Sequence, residues 1–361
     1  MALNFDKPVG ELKGVYLYML KKLIALCILA FVLLMLLVVL MSVRLGHAQE
    51  KELSVNFCAD LNIQQIAAEI YANASFARIR GSASARMQIN GSSMVIQYQD
   101  KKYILTNFHV VQPMVDIYVE DLKTGSVYSS RVIGRDPWLD LALLTLPQEL
   151  EHLAEASLVD AVVGEIVFAI GFPYGVRNVS YGIITSKELV SSTFLLSQAP
   201  LNPGNSGGPL LNAKQEVVGI NTAYRPDANL YSFSIPSSYV RRILPQLVEG
   251  GTIRHAYPKL VVGDFRDLLP RNFADMGIPY PLKKPGVVVL GFRDEAASQQ
   301  GIEIGDLILS IDGVRTETVE QYVQQLLFSY KSGQRAKFLL FRGLEEVTVD
   351  VKLSLLTIEQ Q

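Results

Sequence analysis

One glycine-rich turn, Gly204-Asn205-Ser206-Gly207-Gly208-Pro209-Leu210, carries the residues best suited to chemistry. A serine between glycines can sit on a tight turn that exposes its hydroxyl and directs nearby backbone N–H groups toward one point. We predict that Ser206 is a nucleophile and that Gly204, Asn205 and Ser206 form an oxyanion hole, with the N–H groups of Gly204 and Ser206 as donors. An ordinary loop can have the same composition, so the prediction depends on partners elsewhere.

Two earlier segments supply those partners. His109 lies in the apolar segment 105–111, and Asp140 precedes the apolar run 141–144. The chain order His, Asp, Ser is that of chymotrypsin-like serine proteases, whereas other triad folds use other orders. We expect His109 to act as the general base, Asp140 to orient it, and Ser206 to attack a carbonyl carbon.

Asp136 competes with Asp140 for the role of the orienting acid. The strand residues that follow Asp140 predict that its carboxylate is buried, whereas an aspartate before Pro137 is typical of a turn. We therefore assign the role to Asp140.

The remaining histidines and the two cysteines form no comparable pattern. We expect His47, beside an apolar segment, His152, in a charged loop, and His255, in a linker, to be solvated surface residues. Cys27 lies inside the apolar segment and leaves Cys58 alone beyond it, so no disulfide within the chain is expected. No group of His and Cys residues has metal-ligand spacing, and we predict neither a metal nor a cofactor.

The three triad segments resemble the HtrA family of trypsin-fold serine proteases. Other segments similar to that family's signatures lie at 133–137, 164–165, 169–175, 219–223 and 234–236. The resemblance extends from about Asp60 to the C-terminus. It departs from the family pattern at Gly91-Ser92-Ser93, where a glycine of the first barrel strand is replaced, and at Gln198, where an acidic residue usually precedes the serine loop. Neither position belongs to the triad, so neither departure excludes activity, and the change at Gln198 bears on how the activation loops lock.

Short β-runs separated by Gly, Asn, Asp and Pro predict a mainly β protein with a chymotrypsin-like double β-barrel. An amphipathic helix is expected over 59–71, and a helix over 236–247 closes this domain. We place the protease domain at 60–248 and a linker at 249–256, with Gly250-Gly251 as a hinge.

Residues 257–357 resemble a PDZ domain. The predicted elements are strands at 286–290, 336–341 and 346–353, a strand pair at 301–313 and a helix at 319–328. PDZ domains add an extended peptide to a sheet edge and hold its terminal carboxylate in a backbone nest. Segment 257–262 departs from the aromatic-aliphatic-glycine-aliphatic signature of that nest, because it lacks the glycine and contains Pro258, which has no N–H. Peptide binding and a purely structural role are both open.

In trypsin-fold enzymes the residues before the serine loop line the primary specificity pocket. Here they are Ala199, Pro200 and Leu201, with Phe233 across the pocket, and none carries a carboxylate to pair with Arg or Lys. We expect a pocket for a small or medium apolar residue, such as Val, Ala or Ile, on the acyl side of the cut. Arg177, in the loop after segment 172–175, either contacts the second domain or is solvated.

Residues 23–43 form an uncharged apolar segment of 21 residues. At about 1.5 Å per residue it is long enough to cross a hydrocarbon core of about 30 Å. The lysines before it predict a cytoplasmic tail at 1–22, a lipid-embedded anchor at 23–43 and a stalk at 44–59. A signal peptide cleaved after Gly46-His47-Ala48 is the alternative. With 33 basic and 35 acidic residues, no nucleic-acid partner is expected.

The order anchor, protease, PDZ domain resembles the membrane-anchored DegS branch of the HtrA family. The resemblance implies a homotrimer on the periplasmic face of a bacterial inner membrane, whose partners are protein substrates and C-terminal peptides. It also implies activation by those peptides and cleavage of a transmembrane anti-sigma factor in envelope stress signalling. The alternatives are a periplasmic quality-control protease and a chaperone or peptide sensor with a vestigial triad.

Overall fold

A computed structural model describes residues 62–72, 76–84, 87–187, 194–224, 231–268 and 285–355, together with Lys22, Met35 and Arg271. The chain divides into two units, Met1–Gln65 and Ile66–Gln361, and the described strands belong to the second. Apart from Lys22 and Met35, the predicted tail, membrane segment and stalk lie outside the described residues. Within the described residues, no helix has the length and apolar character needed to span a membrane.

Most of the described elements are strands. They are β1 (Phe76–Ser84), β2 (Met87–Tyr98), β3 (Lys101–Thr106), β4 (Asp116–Glu120), β5 (Val127–Ser130), β6 (Val132–Asp136), β7 (Leu141–Thr145), β8 (Ile166–Gly171), β9 (Asn178–Ser186), β10 (Leu195–Ser197), β11 (Pro209–Asn212), β12 (Val217–Tyr224), β13 (Ser232–Pro236), β14 (Gly251–Thr252), β15 (Ala256–Tyr257), β16 (Leu260–Asp264), β17 (Val287–Phe292), β18 (Leu307–Ile311), β19 (Val314–Arg315), β20 (Arg335–Arg342), β21 (Glu345–Lys352) and β22 (Ser354–Leu355). The helices are α1 (Ile63–Ala72), α2 (Phe108–Val111), α3 (Ser237–Glu249), α4 (Glu295–Ser298) and α5 (Val319–Ser329).

The first sheet has the strand order β14-β6-β7-β3-β2-β1-β4-β5. Its apolar core includes the fully buried Val95, Ile104 and Leu144. Strands β3 and β7 are antiparallel neighbours, so the residues just after β3 lie beside those just before β7. This pairing brings His109, in the short helix that follows β3, to the same edge of the sheet as Asp140.

The second sheet closes into a barrel with the strand order β10-β13-β12-β11-β8-β9. The glycine-rich turn leads directly into β11, which pairs with β12. Two backbone bonds of 2.9 Å, Gly207 N to Asn221 O and Asn221 N to Gly208 O, extend that pairing into the turn. Ser206 is thereby held beside Thr222. The mainly β trypsin-like fold is confirmed, although among the described residues only this second sheet is a closed barrel, since β14 and β5 are the edges of the first.

The C-terminal part has a sheet with the order β16-β17-β18-β20-β21, to which β19 is attached through β18. Tyr322 of α5 and Phe338 of β20 are fully buried in its core. The predicted strand pair at 301–313 is wrong, because a turn occupies its first half and only β18 is a strand there. That turn is fixed by the buried Asp306, which accepts a 2.8 Å bond from Glu303 N and 2.7 Å bonds from Arg342.

The predicted linker at 249–256 contains β14 and the start of β15, and its glycine pair lies at the end of α3. Gly250 and Gly251 have φ values of +94° and +82°, so they turn the chain out of α3. Strand β14 then pairs in parallel with β6, and β15 pairs with β22. The chain between the two domains is therefore held at both ends by backbone hydrogen bonds.

We predict that Gly134→Ala destabilises the protein. A Cβ on Gly134, in β6, would lie 2.1 Å from the carbonyl oxygen of Leu247, in the backbone of α3. Because a backbone atom cannot move aside without shifting the helix, we expect the free energy of unfolding to fall by about 1–3 kcal/mol. Denaturant unfolding followed by circular dichroism would measure it. Gly291→Ala is the matched control, since its Cβ would first meet Val261 at 3.8 Å, and equal stability of the two variants would contradict the prediction.

Candidate active site

His109 and Asp140 are joined by two hydrogen bonds. The ring Nδ1 of His109 lies 2.7 Å from Asp140 Oδ2, and its backbone N–H donates to Oδ1 at 2.9 Å. A carboxylate at Nδ1 fixes the neutral tautomer in which Nε2 carries the lone pair. About half of the His109 side chain is exposed. The arrangement therefore presents an oriented base to solvent.

Asp140 has a left-handed backbone, with φ of +55°. Aspartate is one of the few residues that tolerate this region, at some cost in strain. Its carbonyl oxygen accepts bonds of 3.1 Å from Phe108 N and 2.8 Å from Asn107 Nδ2. The residues around the base thus hold both the carboxylate and the backbone of the acid.

Thr222, which the sequence analysis did not single out, connects the acid to the serine. Its Oγ1 donates to Asp140 Oδ2 at 2.6 Å, and its carbonyl oxygen accepts from Ser206 Oγ at 3.1 Å. Ser206 is therefore linked to the His109–Asp140 pair through Thr222, and no direct bond between Ser206 Oγ and His109 is present among the described residues. The one available signal was its place in segment 219–223, which resembles a family signature.

Ser92 holds the glycine-rich turn from the first sheet. Its N–H donates to Ser206 O at 2.9 Å, its Oγ donates to Gly204 O at 2.6 Å, and the same Oγ accepts from Phe172 N at 3.1 Å. Gly207 has φ of +83°, and a Cβ there would lie 2.2 Å from Ser92 O. Only glycine fits this close approach, which explains the composition of the turn.

The three predicted oxyanion residues differ in whether their backbone N–H groups have a hydrogen-bond acceptor. The backbone hydrogen bonds of the described residues leave the N–H groups of Gly204 and Ser206 without an acceptor. Asn205 N instead donates to Asn202 O at 3.0 Å, and the Asn205 side chain is buried. The geometry therefore leaves two amides available to a ligand, those of Gly204 and Ser206.

Ser93, one of the two departures from the family pattern, is accommodated by β1. Its hydroxyl is fully buried and donates to Ala77 O at 3.0 Å. A buried hydroxyl with a partner costs little, so the replacement of the glycine does not disturb the neighbouring Ser92.

The four residues predicted to line the specificity pocket do not share one environment. Ala199 and Leu201 are buried in the apolar core of the second barrel, whereas Pro200 is exposed. Phe233 is half-buried and packs edge-on against Phe194, with ring centroids 6.0 Å apart. Phe233 is therefore a partly exposed apolar side chain, and it contacts Phe194, which is also partly exposed and which the sequence analysis did not single out.

His255 and Asp136 correct two expectations. Both side chains are almost completely buried, and His255 Nε2 lies 2.7 Å from Asp136 Oδ2. The expectation of a solvated His255 is wrong. So is the expectation that Asp140 has the more buried carboxylate, because 21% of its side chain is exposed and none of Asp136 is.

Arg177 contacts the N-terminal helix of the protease domain. Its guanidinium lies 5.5 Å from the ring centroid of Tyr71, in α1, and burial lowers its pKa. The expected alternatives were a contact to the second domain and full solvation. A cation–π contact to α1 is a third arrangement.

The PDZ-like part has an unusual residue in its carboxylate-binding segment. Lys259, within the segment that lacks the family's glycine, has φ of +58° and so adopts the left-handed conformation itself. Its Nζ lies 2.6 Å from Asp294 Oδ2, and this bond, with another from Ala297 N, lowers the pKa of Asp294. Among the described strands, the adjoining β16 pairs with β17 alone and so lies at the edge of its sheet. The missing glycine therefore does not remove the turn.

Comparisons with known proteins agree with both parts of the fold. Residues 91–220 match the trypsin-like peptidase domain family, and residues 274–353 match the PDZ domain family. The chain is 32% identical to the putative serine protease HhoB of Synechocystis, over 71% of this chain and 67% of that protein. It is 31% identical to a probable periplasmic serine endoprotease, DegP-like, of Pseudomonas fluorescens, over 75% of this chain and 57% of that protein. It thus spans little more than half of the DegP-like relative.

A solved structure resembles this chain over both domains. The structure titled HtrA-type protease AlgW with tripeptide has a TM-score of 0.67 and 25% sequence identity to this chain. The alignment covers 82% of this chain and 98% of that one. Both domains are therefore matched in the same chain order.

We predict that Thr222→Val slows reaction at Ser206 by about tenfold. Valine keeps the shape of threonine but cannot donate to Asp140, and a hydrogen bond to a charged group contributes about 1.5–3 kcal/mol. Thr222→Ser restores the donor and is the control. The measurement is the rate of covalent labelling of Ser206 by a fluorophosphonate. Equal labelling rates in the valine and serine variants would show that the Thr222 hydroxyl has no part in orienting the acid.

Proposed function

Because this chain belongs to the HtrA family of trypsin-like serine proteases, we propose that it is an envelope endopeptidase that uses His109, Asp140 and Ser206 as its catalytic triad. The observation that carries the proposal is the pair of hydrogen bonds by which Asp140 holds both the ring and the backbone of His109. A histidine fixed in one tautomer beside a glycine-rich serine turn is what acyl transfer to a serine requires.

The reaction begins with rotation of the Ser206 hydroxyl. In the structure this hydroxyl donates to Thr222 O, so it must turn about its side-chain bond to reach His109 Nε2. His109 then removes the proton as Ser206 Oγ attacks the substrate carbonyl, and Asp140 stabilises the imidazolium. The N–H groups of Gly204 and Ser206 bind the oxyanion. His109 returns the proton to the leaving amine, and water hydrolyses the acyl-enzyme by the same steps.

Cleavage after small or medium apolar residues is the proposed preference. At the predicted pocket, Pro200 is exposed and the Phe194–Phe233 pair is partly exposed, and none of the predicted pocket residues carries a charge. A pocket without a carboxylate cannot pair with Arg or Lys. Discrimination among apolar residues is expected to be modest, because one methylene is worth about 1–3 kcal/mol.

Control by C-terminal peptides is proposed for the PDZ domain. The open edge of β16 can accept an extended peptide as an added strand, and the left-handed Lys259 preserves the turn on which a carboxylate would be held. The AlgW structure with a tripeptide supports a peptide-binding function in this family. In the structure the Ser206 hydroxyl donates to Thr222 O and not to His109. A hydroxyl held away from its base supports the proposal that peptide binding activates the enzyme.

The proposed location is the periplasmic face of a bacterial inner membrane, with residues 23–43 as a single anchor in lipid. The periplasmic DegP-like relative supports the compartment, and the uncharged length of residues 23–43 supports the anchor. A homotrimer and a transmembrane anti-sigma factor as substrate rest on the resemblance to the DegS branch. The second candidate is a quality-control protease for unfolded proteins in the same compartment, and the DegP-like relative, a probable periplasmic serine endoprotease, supports the compartment and the endoprotease activity of this candidate.

We predict that the full chain cleaves an unfolded protein such as casein and that Ser206→Ala abolishes this cleavage. Removal of the nucleophile leaves no route to an acyl-enzyme, while the fold and the peptide-binding edge remain. Mass spectrometry of the products should place the cuts after Val, Ala or Ile. If the parent chain and Ser206→Ala are equally inert, with and without peptides, the chain is a peptide sensor or chaperone instead.

Activation by peptides should require a free C-terminal carboxylate. We expect peptides with apolar C-terminal residues to raise the cleavage rate and to bind the full chain in fluorescence anisotropy. The same peptides with amidated C-termini are the matched controls, because they keep every side chain and lose only the charge held by the nest. Equal activation by both forms would place the regulatory contact elsewhere.

A further inference from the structure

His255 is a buried histidine whose two ring nitrogens both meet acceptors. Nε2 lies 2.7 Å from Asp136 Oδ2, in β6 of the protease domain, and Nδ1 lies 3.1 Å from the carbonyl oxygen of Leu327, in α5 of the PDZ domain. Only 3% of His255 and none of Asp136 is exposed. One side chain therefore bridges the two domains without access to water.

The two bonds require two protons. A carbonyl oxygen can only accept, so Nδ1 must carry a hydrogen. Nε2 and the Asp136 carboxyl then share one more, either as imidazolium with carboxylate or as neutral imidazole with carboxylic acid. If the pair loses that proton, two acceptors face each other in a buried site, which is costly. The bridge is therefore complete only while the pair holds both protons.

The second oxygen of Asp136 holds the turn that leads to Asp140. Asp136 Oδ1 accepts 3.0 Å hydrogen bonds from the backbone N–H groups of both Trp138 and Leu139. The next residue is Asp140, whose left-handed backbone is the least favourable conformation in the turn. Hydrogen bonds thus run from α5, through His255 and Asp136, to Leu139, which directly precedes Asp140 in the chain.

We propose that His255 and Asp136 are positioning residues, which hold the Asp140 turn in its working geometry and connect it to α5. The inference rests on the proposed serine protease function. Helix α5 lies beside β16, the strand at which a peptide would add, and Asp264 at the end of β16 accepts from Val319 N at the start of α5 at 3.3 Å. A peptide that moves α5 therefore acts on the bridge and, through it, on the orientation of the base.

Other contacts fix α5 against the protease domain in the same region. The ring of Phe328 packs edge-on against Tyr239 of α3 at 5.3 Å, and the Arg242 guanidinium lies 4.2 Å from the Phe328 centroid. Burial raises the pKa of Tyr239 to about 12. These contacts keep the Leu327 carbonyl in reach of His255, so the bridge does not carry the interface alone.

Few ionisable groups surround the bridge. Asp136, from β6, is the titratable side chain that bonds to the ring within the described residues. Arg135, on the same strand, donates to Thr252 Oγ1 at 2.7 Å. Arg254, next to His255, and Lys331, which pairs with it through the backbone, are exposed. From α3, Arg242 stacks on Phe328, the residue after Leu327.

Two substitutions of His255 separate its two bonds. In His255→Asn the amide can replace Nδ1 and donate to Leu327 O, but Asp136 loses its partner. In His255→Gln the amide can replace Nε2 and donate to Asp136, but the link to α5 is lost. His152→Gln is the control, because His152 has a similar pair of neighbours, Glu149 O at 2.9 Å and Asp121 Oδ2 at 4.0 Å, in an exposed loop.

The test is the fluorophosphonate labelling rate of Ser206 in the full chain, divided by the folded fraction from circular dichroism. We expect His255→Asn to lower both the labelling rate and kcat for a peptide substrate by about tenfold or more, with KM unchanged. A small displacement of a catalytic group is enough to lower a rate by this factor. His255→Gln should lose less, and it should lose the response to activating peptides. His152→Gln should match the parent chain.

Asp136→Asn gives a second, independent readout. Its amide can donate to a neutral His255 while its oxygen still accepts from Trp138 and Leu139, so both ends of the bridge persist without the extra proton. Relative to Asp136→Asn, Asp136→Ala loses both ends of the bridge, and its labelling rate per folded molecule should be about tenfold or more lower. This pair of variants also tests the proposal if the His255 variants do not fold.

The outcomes distinguish the two proposals. No labelling of the parent chain would refute the serine protease function itself. Labelling of the parent with an equal rate per folded molecule in His255→Asn would overturn the positioning role, since His255 would then only stabilise the fold. An equal labelling rate per folded molecule in Asp136→Ala and Asp136→Asn would overturn it as well.

Discussion

The carboxylate of Asp140 accepts hydrogen bonds from both halves of the protease domain. His109 donates to it twice from the end of the first sheet, and Thr222 donates once from the second barrel. Charge-assisted bonds of this kind are stronger than neutral ones and directional. This carboxylate therefore joins the two sheets at the site, together with the hydrogen bonds from Ser92 to the serine turn. Ser206 is connected to it because its hydroxyl donates to the carbonyl of Thr222.

The parts of this arrangement that lie in short local patterns could be predicted from the sequence. The glycines around Ser206 are required because a Cβ would meet backbone oxygen atoms, that of Phe172 at Gly204, of Ser92 at Gly207 and of Ile170 at Gly208. The apolar runs before His109 and after Asp140 are buried strands. Contacts between distant segments could not be predicted in the same way. Thr222 has nothing in its neighbourhood that marks it as a partner of Asp140, because that contact depends on how the second barrel meets the first.

The errors at His255 and Asp136 have the same physical origin. A histidine between glycines and a proline has the local surroundings of a linker, and its burial arises from an aspartate 119 residues away. The left-handed conformation of Lys259 could not be predicted for a different reason. Lysine rarely adopts this conformation, and nothing in the sequence indicates that it does so here. In both functional regions, Asp140 and Lys259, a residue other than glycine bears backbone strain at the point where a ligand or a catalytic group must be held.

Strand β14 also has a role in protecting the protease domain from association. It covers the edge of β6, which would otherwise present a row of unpaired backbone groups next to Asp136. Unpaired edges recruit strands from other chains and promote aggregation. A proteolytic cut or a truncation that removed β14 along with the PDZ domain would expose this edge of β6. A protease domain separated in this way would lack one strand of its first sheet as well as the PDZ domain.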